Sequence, residues 1–129
     1  MKANELRIGN YVHFPSISDI KFSEVETIIK LLDGCMCVFL KNVDDVFMVE
    51  EITPIPLTAE WFTNFGFTTD DVEWNKDDFR IGIYKSGFRC IPFNRTMSLL
   101  YSLDIDIKYV NQLQNLYFTL TGEELTMKV

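Results

Sequence analysis

The sequence is poor in the residues that perform covalent chemistry. It holds one histidine, His13, and three cysteines among 129 residues. General-base or triad chemistry would have to join His13 to Cys35, Cys37 or a serine. His13 lies between Val12 and Phe14 in a strand-like run, where a structural role is expected. The phosphate-cradling G-x-x-x-x-G-K-[ST] and G-x-G-x-x-G, the nucleophile elbow G-x-S-x-G and the zinc-helix H-E-x-x-H are all missing. An odd cysteine count, with nothing marking the chain as secreted, implies reduced thiols. Cys35 and Cys37 would share one face of a strand. A zinc site would need Cys90 and His13 as further ligands, and these are isolated rather than a second close pair. Free cysteines are usually buried, so core packing is expected, with no metal and no cofactor.

Positive charge is also scarce. Twelve Lys and Arg face nineteen Asp and Glu, a net charge of −7, with −4 in residues 1–57 and −3 in residues 58–129. The nearest basic cluster, Arg80, Lys85, Arg89 and Arg95, is broken by apolar residues and preceded by Asp77 and Asp78. It reads as the solvated face of a hairpin, and direct nucleic-acid binding is not expected. No apolar run approaches the roughly 18–20 residues of a membrane span. The polar opening Met1-Lys2-Ala3-Asn4-Glu5 holds no apolar signal core, so no membrane association and a cytoplasmic location are expected.

What is present is a folding pattern: 47% hydrophobic and 24% charged residues exclude disorder and coiled coil. The Gly9-Asn10 turn signal and the apolar residues Leu6 to Phe14 predict a strand entered through a tight turn. Residues 22–32 carry helical spacing, but β-branched Val25, Thr27, Ile28 and Ile29 and the following Asp33-Gly34 favour a hairpin of strands 25–32 and 35–41. A third strand is expected over Val46 to Ile52, ended by Pro54 and Pro56. These short strands predict a small curled antiparallel sheet, SH3-like in its strand count. A helix over 59–65 follows from Thr58 as N-cap, a Leu57–Phe62 staple and Gly66 at the C-terminal turn. The acidic stretch 68–78 lacks the glycine and ligand spacing of a calcium loop and reads as a solvated loop. Phe79 to Tyr84 and Phe88 to Phe93 predict a hairpin with Lys85-Ser86-Gly87 at its tip, and Met97 to Leu103 a further strand. The fold class is therefore α+β, with a β lobe over 1–57 and an α+β lobe over 58–129 packed as one unit.

The last segment is the most patterned. At 100° per residue, Tyr109, Val110, Leu113, Leu116, Tyr117 and Leu120 fall on one stripe, predicting a helix over 107–121 capped by Asp106 and closed by Gly122. Ile107 and Phe118 fall off that stripe, beside Asn111, Gln114 and Asn115. Side-chain amides donate and accept, so this strip suits reading another backbone or a partner surface. These five residues are the candidate site.

Three pieces then carry a resemblance: Asn4 to Asn10, Ile55 to Trp61 with Phe65-Gly66-Phe67, and Tyr109 to Leu125. Together they resemble the start, middle and end of a family of small uncharacterised proteins of Bacteroidales genomes, often on prophage or other mobile elements. The resemblance implies an accessory protein of a bacterium or phage and supplies no activity, cofactor or catalytic residue. Where many members of that family carry His, this chain has Asn111, so no histidine-dependent role carries over.

Function follows by weighing classes. The first is a non-catalytic interaction module, binding an unknown protein partner through the C-terminal helix face or a sheet edge, with a homodimer left open; 14% aromatic residues fit it. The alternative is an acidic mimic of DNA, motivated by the carboxylate pairs Asp44/Asp45, Glu50/Glu51, Asp70/Asp71, Asp77/Asp78, Asp104/Asp106 and Glu123/Glu124. A carboxylate-pair hydrolase is weakest, because adjacency in sequence does not place two carboxyls across a cleft. No enzyme activity is expected.

Overall fold

A computed structural model describes residues 5–15, 20–77, 79–85, 87–91 and 106–127. The strand expected over Met97 to Leu103 lies outside the described residues, as do Asp78, Ser86, Phe93, Arg95 and Asp104. The architecture is α+β, as the pattern predicts.

The first sheet is an antiparallel meander of β1 (Tyr11–Pro15), β2 (Ile20–Lys30), β3 (Met36–Leu40) and β4 (Val46–Met48). Asp33 makes the β2–β3 turn by accepting from the Cys35 N–H at 3.0 Å, and Gly34 takes φ +90°, a conformation only glycine adopts without strain. The strand is entered through the tight turn expected at Gly9-Asn10, with Gly9 at φ +96°, and begins at Tyr11. The strand expected to reach Ile52 ends at Met48, where Val49–Glu51 form a 3-10 turn held by the Glu51 carboxylate accepting from the Met48 N–H at 3.0 Å. The chain then returns to β1: His13 and Thr53 exchange two backbone hydrogen bonds of 2.9 and 3.1 Å, which curl the sheet back on itself. Val12, Val25, Val38, Phe47 and Ile52 fill the concave side.

The second sheet runs β5 (Thr68–Thr69), β6 (Glu73–Lys76), β7 (Phe79–Tyr84), β8 (Gly87–Ile91) and β9 (Asp106–Ile107), all antiparallel. Within the stretch expected as a loop over 68–78, residues 68–76 are thus corrected to a hairpin. The Asp70 carboxylate accepts from the Val72 and Glu73 N–H groups at 3.0 and 2.9 Å, which tightens the turn. Trp74 then faces inward and stacks on Phe62 at 5.1 Å. Two members of the basic cluster are paired: Arg80 meets Glu73 at 3.8 Å and Arg89 meets Asp106 at 2.9 Å.

Helix α1 (Ala59–Asn64) and helix α2 (Val110–Thr121) cover this sheet. Thr58 precedes α1 without a side-chain capping bond, whereas Gly66 at φ +87° closes it and Phe67 folds back on Phe62 at 5.3 Å. Helix α2 starts three residues later than expected. Tyr109, not Asp106, holds the cap position, because the Gln112 carbonyl accepts from the Lys108 and Tyr109 N–H groups at 2.9 and 3.1 Å. Ile107 belongs to β9, not to the helix. Gly122 ends α2 at φ +75°. Val110, Leu113 and Tyr117 are buried with Phe62, Phe65 and Phe79, and Leu116 and Leu120 pack against that cluster.

The two hydrophobic clusters divide between Ile52 and Ile55. Aromatic contact bridges them: the Tyr11 ring lies 5.6 Å from Trp61 and 6.0 Å from Phe65, and Phe22 lies 5.1 Å from Trp61. Among the described residues, no helix is long and apolar enough to cross a membrane.

Candidate functional site

The amide strip on α2 meets this chain's own lead-in turn. Gln114, fully buried, donates from Nε2 to the Gly9 carbonyl at 2.9 Å and accepts at Oε1 from the Tyr11 N–H at 2.9 Å. One side-chain amide therefore matches a carbonyl and an N–H two residues apart, as a neighbouring strand would. Asn10 donates to the Asn115 carbonyl at 2.9 Å and accepts from the Arg7 N–H at 2.6 Å. Asn111 and Asn115 both donate to the Glu5 carbonyl at 3.2 Å. Arg7 completes the clasp: it donates to Asn115 at 2.7 Å, pairs with Glu124, and lies over the Phe118 ring at 4.4 Å.

Of the five candidate residues, Ile107, Asn111 and Gln114 are therefore buried, Asn115 is half-buried and Phe118 is exposed under the Arg7 guanidinium. Of the two uses expected for the amides, another backbone or a partner surface, the structure shows them on the chain's own backbone at Glu5, Gly9 and Tyr11. Burial turns the amide N–H groups of Asn111, Gln114 and Asn115 to residues 5–11, because an unpaired buried amide costs about 1–3 kcal/mol. The Asn111 Oδ1 is left buried without a hydrogen-bond partner among the described residues. The strip's capacity to bond backbone is legible in its residue types, whereas the identity of that backbone, residues 5–11, is not.

A second feature lies on the convex side of the first sheet. The register places Ile29, Cys37 and Met48 in one cross-strand row and Thr27, Phe39 and Val46 in the next. Leu31, bonded to the Cys35 carbonyl at 2.7 Å, extends the same face towards the turn, where Leu32 is fully exposed. Ile29, Leu31, Phe39 and Val46 are each 36–49% exposed, while their alternates Val38, Leu40 and Phe47 are buried in the concave core. An antiparallel sheet with one side in water normally alternates apolar and polar residues. Here both sides are apolar over three strands. A groove of about 440 Å³ runs beside Ile29 and Phe39, bounded by Glu26 and Asp44.

Two of the three cysteines, Cys35 and Cys37, fall on this face. Cys37 is buried as expected, though by its outer-face neighbours: its Sγ lies 3.7 Å from the Met48 sulfur. Cys35 is partly exposed, and its thiol, donating to the Asp33 carboxylate and facing that residue's charge, has its pKa pushed up, against a nucleophilic role. Cys90 packs against the core of the second sheet, and burial raises its pKa. Among the described residues, no three of His, Cys, Asp and Glu gather as metal ligands. His13 serves through its backbone, in the bridge to Thr53.

No match to this chain is found among protein-family models, curated proteins or solved structures.

Proposed function

We propose that the protein is a non-catalytic interaction module and that it docks its partner on the convex face of β2, β3 and β4. The observation that carries this reading is the contiguous apolar surface of Ile29, Leu31, Phe39 and Val46, on a sheet whose opposite side is already packed. Contiguous exposed apolar patches mark interaction surfaces more often than scattered residues do. The α2 face has less to offer a partner, since the amide N–H groups of Asn111, Gln114 and Asn115 are committed within the chain. An acidic mimic of a phosphate array also has less support. Asp70 is tied into its own turn and Glu124 into the Arg7 clasp, so these carboxylates do not stand free as phosphates do.

Thiol footprinting in lysate of the native host tests the docking face. A partner seated there slows alkylation of Cys35 while leaving Cys90, on the other sheet, unchanged. An equal rate for Cys35 with and without lysate counts against the reading.

A further inference from the structure

The apolar face is rimmed mainly by negative charge. Between residues 26 and 51 the sequence has six carboxylates and two lysines. Glu26 and Asp44 bound the groove beside Phe39, and Asp45 directly precedes Val46. Asp33 holds the turn under Cys35, Glu50 acts electrostatically on that thiol, and Glu51 bonds the Met48 N–H. All six carboxylates belong to exposed residues. Of the lysines, Lys41 is already paired with Glu24 at 3.9 Å.

Resting on the docking-face reading, we infer that the partner is a protein segment presenting apolar side chains flanked by lysine or arginine. An apolar centre with a charged rim is the usual division of an interface, the centre giving affinity and the rim giving selectivity and association rate. Nucleic acid and anionic lipid surfaces are repelled by the same rim. A second copy brings the same six carboxylates against the first, so face-to-face self-association is opposed. A basic segment relieves the repulsion among the carboxylates while its apolar residues cover Ile29, Phe39 and Val46.

The probe is a phage-displayed library of random dodecapeptides, selected on the whole chain and counter-selected on the Ile29→Thr/Phe39→Thr variant. Threonine keeps strand propensity on a solvent face, and circular dichroism checks that the variant folds. The expected enrichment is of peptides with two or more apolar residues next to Lys or Arg. Their binding, followed by fluorescence anisotropy, weakens by about tenfold between low and physiological-plus salt. It also weakens by about tenfold in the Asp44→Asn/Asp45→Asn/Glu50→Gln variant. Enriched peptides that lack basic residues and ignore salt overturn the inference about charge while leaving the docking face standing. Failure to enrich any peptide over the counter-selection overturns both. A dimer of the free chain in sedimentation, lost in the Ile29→Thr/Phe39→Thr variant, makes a second copy the occupant and also overturns the inference.

Discussion

Gln114 grips Gly9 across 105 positions of sequence, its Nε2 lying 2.9 Å from the glycine carbonyl. The same side chain accepts from the Tyr11 N–H, so one buried amide fixes the turn that leads into the first sheet to the helix that covers the second. The clasp holds a polar group at zero exposure, which is stable only while both of its bonds are made.

Replacing that amide is therefore costly. Gln114→Leu leaves the Gly9 carbonyl and Tyr11 N–H without their partner and is expected to lower stability by about 2–4 kcal/mol. Gln114→Glu keeps an acceptor for Tyr11 but sets a carboxylate oxygen against the Gly9 carbonyl, and should cost at least as much at neutral pH. Urea midpoints at constant m-value measure both.

Neighbouring residues on β3 should behave in opposite ways. Leu40, buried in the concave core, is expected to cost about 2–5 kcal/mol as Leu40→Ala. Phe39→Thr, on the convex face, is expected to stay within about 1 kcal/mol of the parent. Thermal melts of the two variants make the comparison, and an equal loss would mean that the convex face is covered in the free chain.

The alkaline limb of stability should depend on Tyr117. Burial first, then the nearby charges of Asp77 and Glu123, raise its phenol pKa above 10.0. A folded pKa above the unfolded one gives a contribution that is complete below the unfolded value and is lost as pH rises through the folded one. Stability should therefore fall above about pH 10, and less steeply in Tyr117→Phe. Absorbance titration of the phenolate alongside urea melts at rising pH provides the check.

The acid limb carries the reverse sign at Asp70. Hydrogen bonds from the Glu73 and Val72 backbone hold its carboxyl below the ordinary 3.8. Its contribution is present above the unfolded value and disappears as pH falls through the lower folded one. Carbon-detected NMR titration should place Asp70 below the ordinary carboxylate range, and the offset should vanish in urea.

Much of the fold could be read from residues with strong local chemistry. Asp33-Gly34 marked its hairpin because few residues adopt the backbone that turn requires, and Gly66 and Gly122 marked helix ends for the same reason. The apolar stripe of α2 was readable from its period. The β5–β6 hairpin was hidden because its turn is built by acidic residues that equally suit a solvated loop; only Asp70 accepting two N–H groups separates the cases. Alternation placed Cys35 and Cys37 on one side of a strand, but the choice of side depends on what lies beneath Val38 and Leu40. The strip of Asn111, Gln114 and Asn115 was legible as a reader of backbone. Its object, residues 5–11, lies more than a hundred positions away, a distance that no local pattern spans.

That separation also orders events during synthesis. The ribosome makes residues 5–11 early and α2 late, so at about 5–20 residues per second the turn waits some 5–20 s for the amide that secures it. Throughout that interval the first sheet has its strands but not its latch, which makes the emergence of α2 the moment when the lead-in turn is secured.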